Sequence, residues 1–206
     1  GVAIDVETAY ASALRHATVP AADPRVGRTG LGPARFRGYV DTRTHEGMSW
    51  TLDNAINDAA AARLAARLIA AGDGSAELAA ERDYLARRAL NYRNVFRGGF
   101  FHGRDETGAW RTDPSAFDPE EWGHDYTETH AWGTAFTAPH DGAGLAALHG
   151  GERALGAALD EMLATPERGE KFGSYGFVIH EMAEARDTRM GMLALSNQPA
   201  HHIPLM

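Results

Sequence analysis

The chain has 206 residues, 44% of them hydrophobic, with 20 Lys and Arg against 28 Asp and Glu and a net charge of −8. That length fits one globular unit or a large piece of one, and the acidic balance, with basic residues dispersed, removes the electrostatic basis for general nucleic-acid binding. Cysteine is absent, which excludes disulfides, thiolate zinc sites and cysteine nucleophiles and leaves oxygen and imidazole as metal donors.

No apolar run approaches the ~20 residues of a bilayer-spanning helix, so membrane insertion is not expected, and no basic start leads into a signal-like segment. The chain opens on Gly1 rather than Met and closes on "HHIPLM", and so reads as processed or excerpted. Val6 to His16 forms the first candidate helix. "GRTGLG" at 27–32 lacks the Gly-Lys-Ser/Thr of a phosphate loop and reads as a turn. In "TLDNAINDAAAARLAARLIAA", Leu52, Ile56, Ala60, Leu64 and Leu68 recur every four residues, predicting a helix with an apolar stripe, capped by Ser49 or Thr51 and ended by "GDGS". Ser75 opens a second helix carrying Leu78, Leu85, Ala89, Tyr92 and Phe96, and the short break predicts an antiparallel pair. A short helix with Leu145 and Leu148 stops at Gly150-Gly151, and another runs from Glu152 to Leu163, burying Leu155, Leu159, Met162 and Leu163 before Thr165-Pro166. "RGYV" and "SYGFVIH" are too short for a sheet domain. The expected class is all-α, built from helical hairpins.

Between the hairpins, Gly98 to about Thr129 shows no regular period, and a long irregular stretch in a compact domain is often functional. It ends in "WGHDYTETHAW", residues 122–132, where rings and titratable groups concentrate. Asp125 and Glu128 lie three apart, neighbours if the segment is helical. Trp122, Tyr126 and Trp132 offer planar faces for a sugar ring, and apolar surroundings would raise a carboxyl toward the protonated form that a glycosidase acid needs. On spacing alone, a cap or surface carboxylate beside a core aromatic cluster is the better reading of the same residues. The closing irregular segment carries "SNQPAHHIP", where Asn197 and Gln198 suit a hard cation and His201 and His202 suit a polyol or a softer metal, although from the residues alone a loop fixed by Pro199 and Pro204 with hydrogen-bonded histidines is the better reading. "HEMAE" at 180–184 lacks the second histidine of a zinc-protease helix, and neither Ser174 nor Ser196 sits in a nucleophile elbow. Asp53, Asp58 and Arg63 read as a solvated or capping set, and Arg104 as a loop salt bridge.

"SWTLDNAINDAAAARLA", "YLARRALNYRNVF", "GFFHGRDETGAWR", "FDPEEWGHDYTETHAWGTAFTAPHDGAGLAALHGG" and "SNQPAHHIP" occur in an order and spacing that resembles glycoside hydrolase family 92, over most of residues 38–204. The resemblance implies part of an (α/α)6 toroid, spanning residues 1–206 as a partial catalytic domain, and a calcium-dependent, inverting exo-α-mannosidase acting on α-mannoside glycans, with α-1,2 linkages favoured. It implies Glu128 as general acid, in Tyr126-Thr127-Glu128-Thr129-His130. It places Trp122, His124, Trp132, His201 and His202 at the substrate and Asn197 and Gln198 around calcium. Gln198 stands where the family pattern has Glu, and Thr129-His130 where it has Gly-Asn. The family's downstream acidic segment, source of the general base, and an upstream Trp-Asp segment are not in this chain, so flanking parts of the domain are implied partners. An extracellular or cell-surface location is also implied. Two rivals stand beside it: a carbohydrate-binding or structural module without turnover, and an unrelated helical metallohydrolase using His201 and His202.

Overall fold

The computed structural model describes residues 4–23, 25–72 and 74–206. Helix α1 (Val6–Thr18) is opened by the Asp5 carboxylate, which accepts the Thr8 N–H at 3.0 Å. The turn at 27–30 leads into a short helix the sequence did not announce, α2 (Leu31–Arg37), bounded by Gly30 and Gly38, both in the left-handed region.

The next pair is the expected hairpin. α3 (Gly47–Ala70) starts four residues before its expected first turn, and α4 (Ala76–Arg88) is capped by Ser75, whose hydroxyl accepts the Leu78 N–H. Asp58, midway along α3, pairs with Arg88 at the end of α4, as the return of an antiparallel helix requires. Methyl-sized side chains at Ala61, Ala62 and Ala65 let them approach closely and seat Leu78, Leu85 and Tyr10 of α1. The buried face of α3 is not the four-residue repeat, because Ala60 is exposed and Ile56 and Leu64 are only half-buried. A strict four-residue step overshoots one turn by about 40°, so that stripe spirals away. Met48, Leu52, Ala55, Ala59 and Ala62 alternate steps of three and four and stay inside. Asp58 is buried between Arg28 and Arg88 rather than solvated, tying α3 to α4 and to the loop after α1.

A 3-10 turn (Asn91–Val95) runs into a two-stranded hairpin, β1 (Phe96–Arg97) and β2 (Phe100–Phe101), turning on Gly98 and Gly99, both with positive φ. Then follow α5 (Ala131–Thr134), α6 (Gly142–His149), α7 (Glu152–Ala164) and α8 (His180–Thr188). Asp141 caps α6 and left-handed Gly150 ends it. In α7, Met162 is the fully buried residue; Leu155 and Leu159 are half-buried and Leu163 is exposed. The start of α3 shares the main core with Tyr92, Phe101, Phe136, Leu145, Met162 and Leu193, while a smaller cluster around Trp122 and Met182 lies under α8. The class is all-α. Among the described residues no helix is long and apolar enough to cross a membrane.

Candidate active site

Residues 122–130 form a stack of turns, not a helix. Trp122 and His130 pair as an antiparallel bridge, and the Gly123 N–H donates to the Thr129 carbonyl at 2.9 Å. Three other parts of the chain hold the tip. From α3, the Ser49 hydroxyl donates to the Asp125 carbonyl at 2.9 Å and accepts the Thr127 N–H at 3.1 Å, while Glu46 accepts from the Thr127 hydroxyl at 2.7 Å. The Asn197 amide donates to the Thr127 carbonyl at 2.6 Å. The Tyr175 hydroxyl accepts the Glu128 N–H at 2.7 Å. This clamp holds Glu128 at φ 54°, a left-handed conformation that costs a non-glycine residue about 1–2 kcal/mol. Such strain persists only where surrounding contacts over-determine it, and it marks the residue for attention.

Glu128 is exposed to a cavity of about 160 Å³ whose wall also includes Asp53, Thr137, Asn197 and Gln198. The turn and the "NQP" segment, seventy residues apart in sequence, therefore meet at one place. Asp53 was read as a solvated or capping residue; it lies in the cavity wall, where it is solvent-accessible yet surrounded by enough protein that desolvation raises its carboxyl above the usual range.

The two tryptophans do not form a sugar platform. Trp122 is fully buried under α8, its indole N–H donating to Glu167 at 2.9 Å. Trp132 is buried in the main core, edge-on to Phe100. In a bridge-paired turn the ring that faces inward is set by the pairing, and both are needed for the core. Tyr126 is also buried, its hydroxyl donating to the Phe101 carbonyl at 2.8 Å. Asp125 and Glu128 are not side by side either. Asp125 is buried, accepts from the Gly103 N–H at 3.1 Å and lies 3.0 Å from the Arg111 guanidinium, facing a second cavity that His124 also lines. His124 therefore sits away from the Glu128 cavity, near Glu121 at 3.4 Å. His202 has both ring nitrogens engaged by the carbonyls of Pro199 and Phe136, at 2.9 and 2.7 Å, and offers none to a ligand. His201 is exposed and bonds the Leu195 carbonyl at 2.8 Å, fastening its own loop outside the cavity wall. Arg104 is a loop staple without a carboxylate: it donates to the carbonyls of Gly108 and Asn94 and lies over Tyr39 and Trp110.

Among the described residues no three His, Asp or Glu side chains gather as a metal cluster. The cavity wall nonetheless fits a hard cation by donor chemistry. Its polar groups are amide, carboxylate and hydroxyl oxygens without imidazole, and the buried Thr129 and Thr137 hydroxyls lack a hydrogen-bond partner. Asn197 spends its amide nitrogen on Thr127, which frees its oxygen for such a role.

A search of curated proteins gave no significant match. Among solved structures, the chain is similar to an inverting mannosidase of family GH92 from Bacteroides thetaiotaomicron, with 34% identity and a TM-score of 0.75, covering 97% of this chain and 26% of that one. It is also similar to a GH92 α-mannosidase from the same organism, at 26% identity and TM-score 0.73, covering 97% and 23%. The chain thus spans about a quarter of the structures it matches, and its hairpins correspond to part of their (α/α)6 toroid. The model of the glycosyl hydrolase family 92 catalytic domain matches residues 1–206, and the chain belongs to that family.

Proposed function

We propose that this chain is the acid-bearing part of the catalytic domain of an inverting exo-α-mannosidase, acting on α-mannoside glycans with α-1,2 linkages. The observation that carries the reading is the convergence of Glu128, on its strained and clamped turn, with Asn197 and Gln198 at one cavity. Family membership and the two mannosidase structures supply the substrate class. Glu128 is the only carboxyl that the turn itself offers to this cavity, since Asp125 faces the other way.

In this reading Glu128 gives its proton to the glycosidic oxygen as the bond to mannose breaks. A water activated by a base outside residues 1–206 attacks the opposite face. Inversion requires the two carboxyls to stand ~6.5–9.5 Å apart to admit that water. Asn197 and Gln198 would hold calcium, which when bound polarises sugar hydroxyls and favours the charge-bearing transition state. The contact between Asn197 and Thr127 ties such a site to the acid's own turn, so the two are positioned together. An extracellular or cell-surface setting, where glycan ends are met, belongs to the same reading.

The test is Glu128→Gln in the mannosidase that carries this chain. On α-mannosides with poor leaving groups kcat/KM should fall about 10²–10⁴-fold, the usual worth of a general acid, and far less on aryl mannosides whose leaving group needs no proton. An equal loss on both classes, or none, rejects Glu128 as the acid. Glycan binding without product release from the parent enzyme would favour a non-catalytic carbohydrate-binding module.

A further inference from the structure

We propose that Asp53 is a substrate-contacting residue whose carboxylate accepts a hydrogen bond from a hydroxyl of the sugar held in the Glu128 cavity, with Thr137 beside it in the same polar wall. This role rests on the carbohydrate reading above.

Asp53 lies four residues after Ser49 on α3, so the two share a helix face. Ser49 holds the turn that presents Glu128, and Asp53 is therefore carried to the same cavity one helical turn further on. Every other aspartate set against the fold has a visible occupation. Asp58 binds two arginines, Asp125 binds Arg111 and Gly103, and Asp141 caps α6 and binds Arg93. Asp53 has no hydrogen-bond or ion-pair partner among the described residues, although the protein around it makes its charged form costly. A second, separate observation comes from Thr129 and Thr137. Both line this cavity, are at least nine-tenths buried, and have hydroxyl oxygens without a partner. Leaving such buried hydroxyls unpaired costs about 1–3 kcal/mol each, and two of them beside a solvent-accessible carboxylate without a partner point to a ligand that brings its own donors and acceptors.

The charge of the wall narrows the ligand class. Asp53 and Glu128 are its ionisable groups, and no Lys, Arg or His lines it. Phosphorylated or carboxylated sugars would meet repulsion there, whereas a neutral polyol supplies the hydroxyl donors that a carboxylate needs. Asp53 thus selects for an unmodified hexose at the subsite next to the acid.

The experiment compares Asp53→Asn and Thr137→Val with the parent mannosidase, on aryl α-mannosides that are intact or lack one hydroxyl at a time. For Asp53→Asn, kcat/KM on the intact sugar should fall about 10–100-fold, as expected for a lost charge-assisted bond. The loss should vanish with one particular deoxy sugar, the one missing the partner hydroxyl, while the thermal midpoint and the calcium concentration for half activity stay put. Thr137→Val removes a hydroxyl that already lacks a partner, so it should weaken sugar binding about 3–10-fold without loss of stability, and it keeps the test open should Asp53→Asn misfold. A uniform penalty across the deoxy series, or none, overturns the assignment. So does a shifted calcium midpoint with uniform penalty, which would make Asp53 a cation ligand. Parent enzyme that hydrolyses no mannoside would instead reject the carbohydrate function, and this role with it.

Discussion

Asp125 and Glu128 belong to one turn yet face two different cavities, and the two carboxylates are held differently. On the Asp125 side the carboxylate is buried and bonded to Gly103 and Arg111, in a wall that also holds His102, Phe117 and Glu121. A side chain at Gly103 would collide with that carboxylate, so the chain packs closely on one side of it, while a cavity of about 350 Å³ lies on the other beside Arg111 and His124. On the Glu128 side the backbone is held at Thr127 and Glu128, while the buried Thr129 and Thr137 hydroxyls and the solvent-accessible Asp53 carboxylate stand without partners among the described residues. Both cavities hold unpartnered buried oxygens, Asp125 Oδ1 on one side and the Thr129 and Thr137 hydroxyls on the other, but the Asp125 carboxylate is already tied through Oδ2 to a guanidinium and a backbone N–H. Proximity in sequence does not assign two carboxyls to one site. Their partners do.

The largest expected departure from this division is in acid. Burial holds His102 down at about 4 and His130, fully enclosed with its Nδ1 accepting the Gly133 N–H, at about 3. Both are neutral when folded, whereas unfolded histidines titrate near 6.5. As pH falls below about 6.5 the unfolded chain takes up protons that the folded one refuses, so stability declines by about 1.4 kcal/mol per pH unit per imidazole, down to the folded values. The raised carboxyls of Asp53, Asp58 and Asp125 act in the opposite sense, from the unfolded carboxylate range of about 4 upward, where they bind protons before the unfolded chain does. From pH 7.5 to 5, the two histidines together should therefore cost about 4 kcal/mol of stability in denaturant unfolding. His102→Gln, on the Asp125 side, should remove its share of that slope, and an unchanged slope would deny that His102 is buried and neutral in the fold.

A smaller effect separates the carboxylates themselves. Asp125→Ala leaves the Gly103 N–H and Arg111 without their acceptor and should cost about 2 kcal/mol by equilibrium unfolding. Asp125→Asn should cost less, because burial already opposes the charge at that position, the largest influence on its carboxyl. If Asp125→Asn instead abolished turnover while leaving the fold intact, the Asp125 cavity would be the working one.

Much of the scaffold was legible in the chain because its signals are local. Ser75, Gly150 and the Ala-rich face of α3 each announce their structure within a few residues. α8 was not, since its first turn has no side-chain cap and only Glu181, Met182 and Ala185 are buried in it. The candidate site was legible only in part, and for a different reason. Glu128, Asn197 and Gln198 were found through an ordered set of motifs, not through their own chemistry. The aromatic character of Trp122 and Trp132 is plain in sequence, but which face of the turn each ring takes depends on the pairing of 122 with 130 and on α8, sixty residues on. Asp53 looks like any exposed helix carboxylate until a turn more than seventy residues later arrives beside it.

The smallest predicted effect is the most direct test of strain in the open cavity. Glu128 is held at φ 54°, where its Cβ crowds the backbone, and glycine has no such penalty. The clamp on the turn uses backbone groups of Thr127 and Glu128 rather than the Glu128 side chain, so it survives truncation. Glu128→Gly should accordingly stabilise the fold by about 0.5–1 kcal/mol, the gain from relieved backbone strain exceeding the larger entropy of the unfolded glycine. The same change removes the proposed acid. Gained stability with lost turnover on poor leaving groups would mark the backbone conformation as one held for function. Lost stability would mean that the Glu128 side chain is itself a structural contact, as that of Asp125 is, and the contrast between the two cavities would fail at its centre.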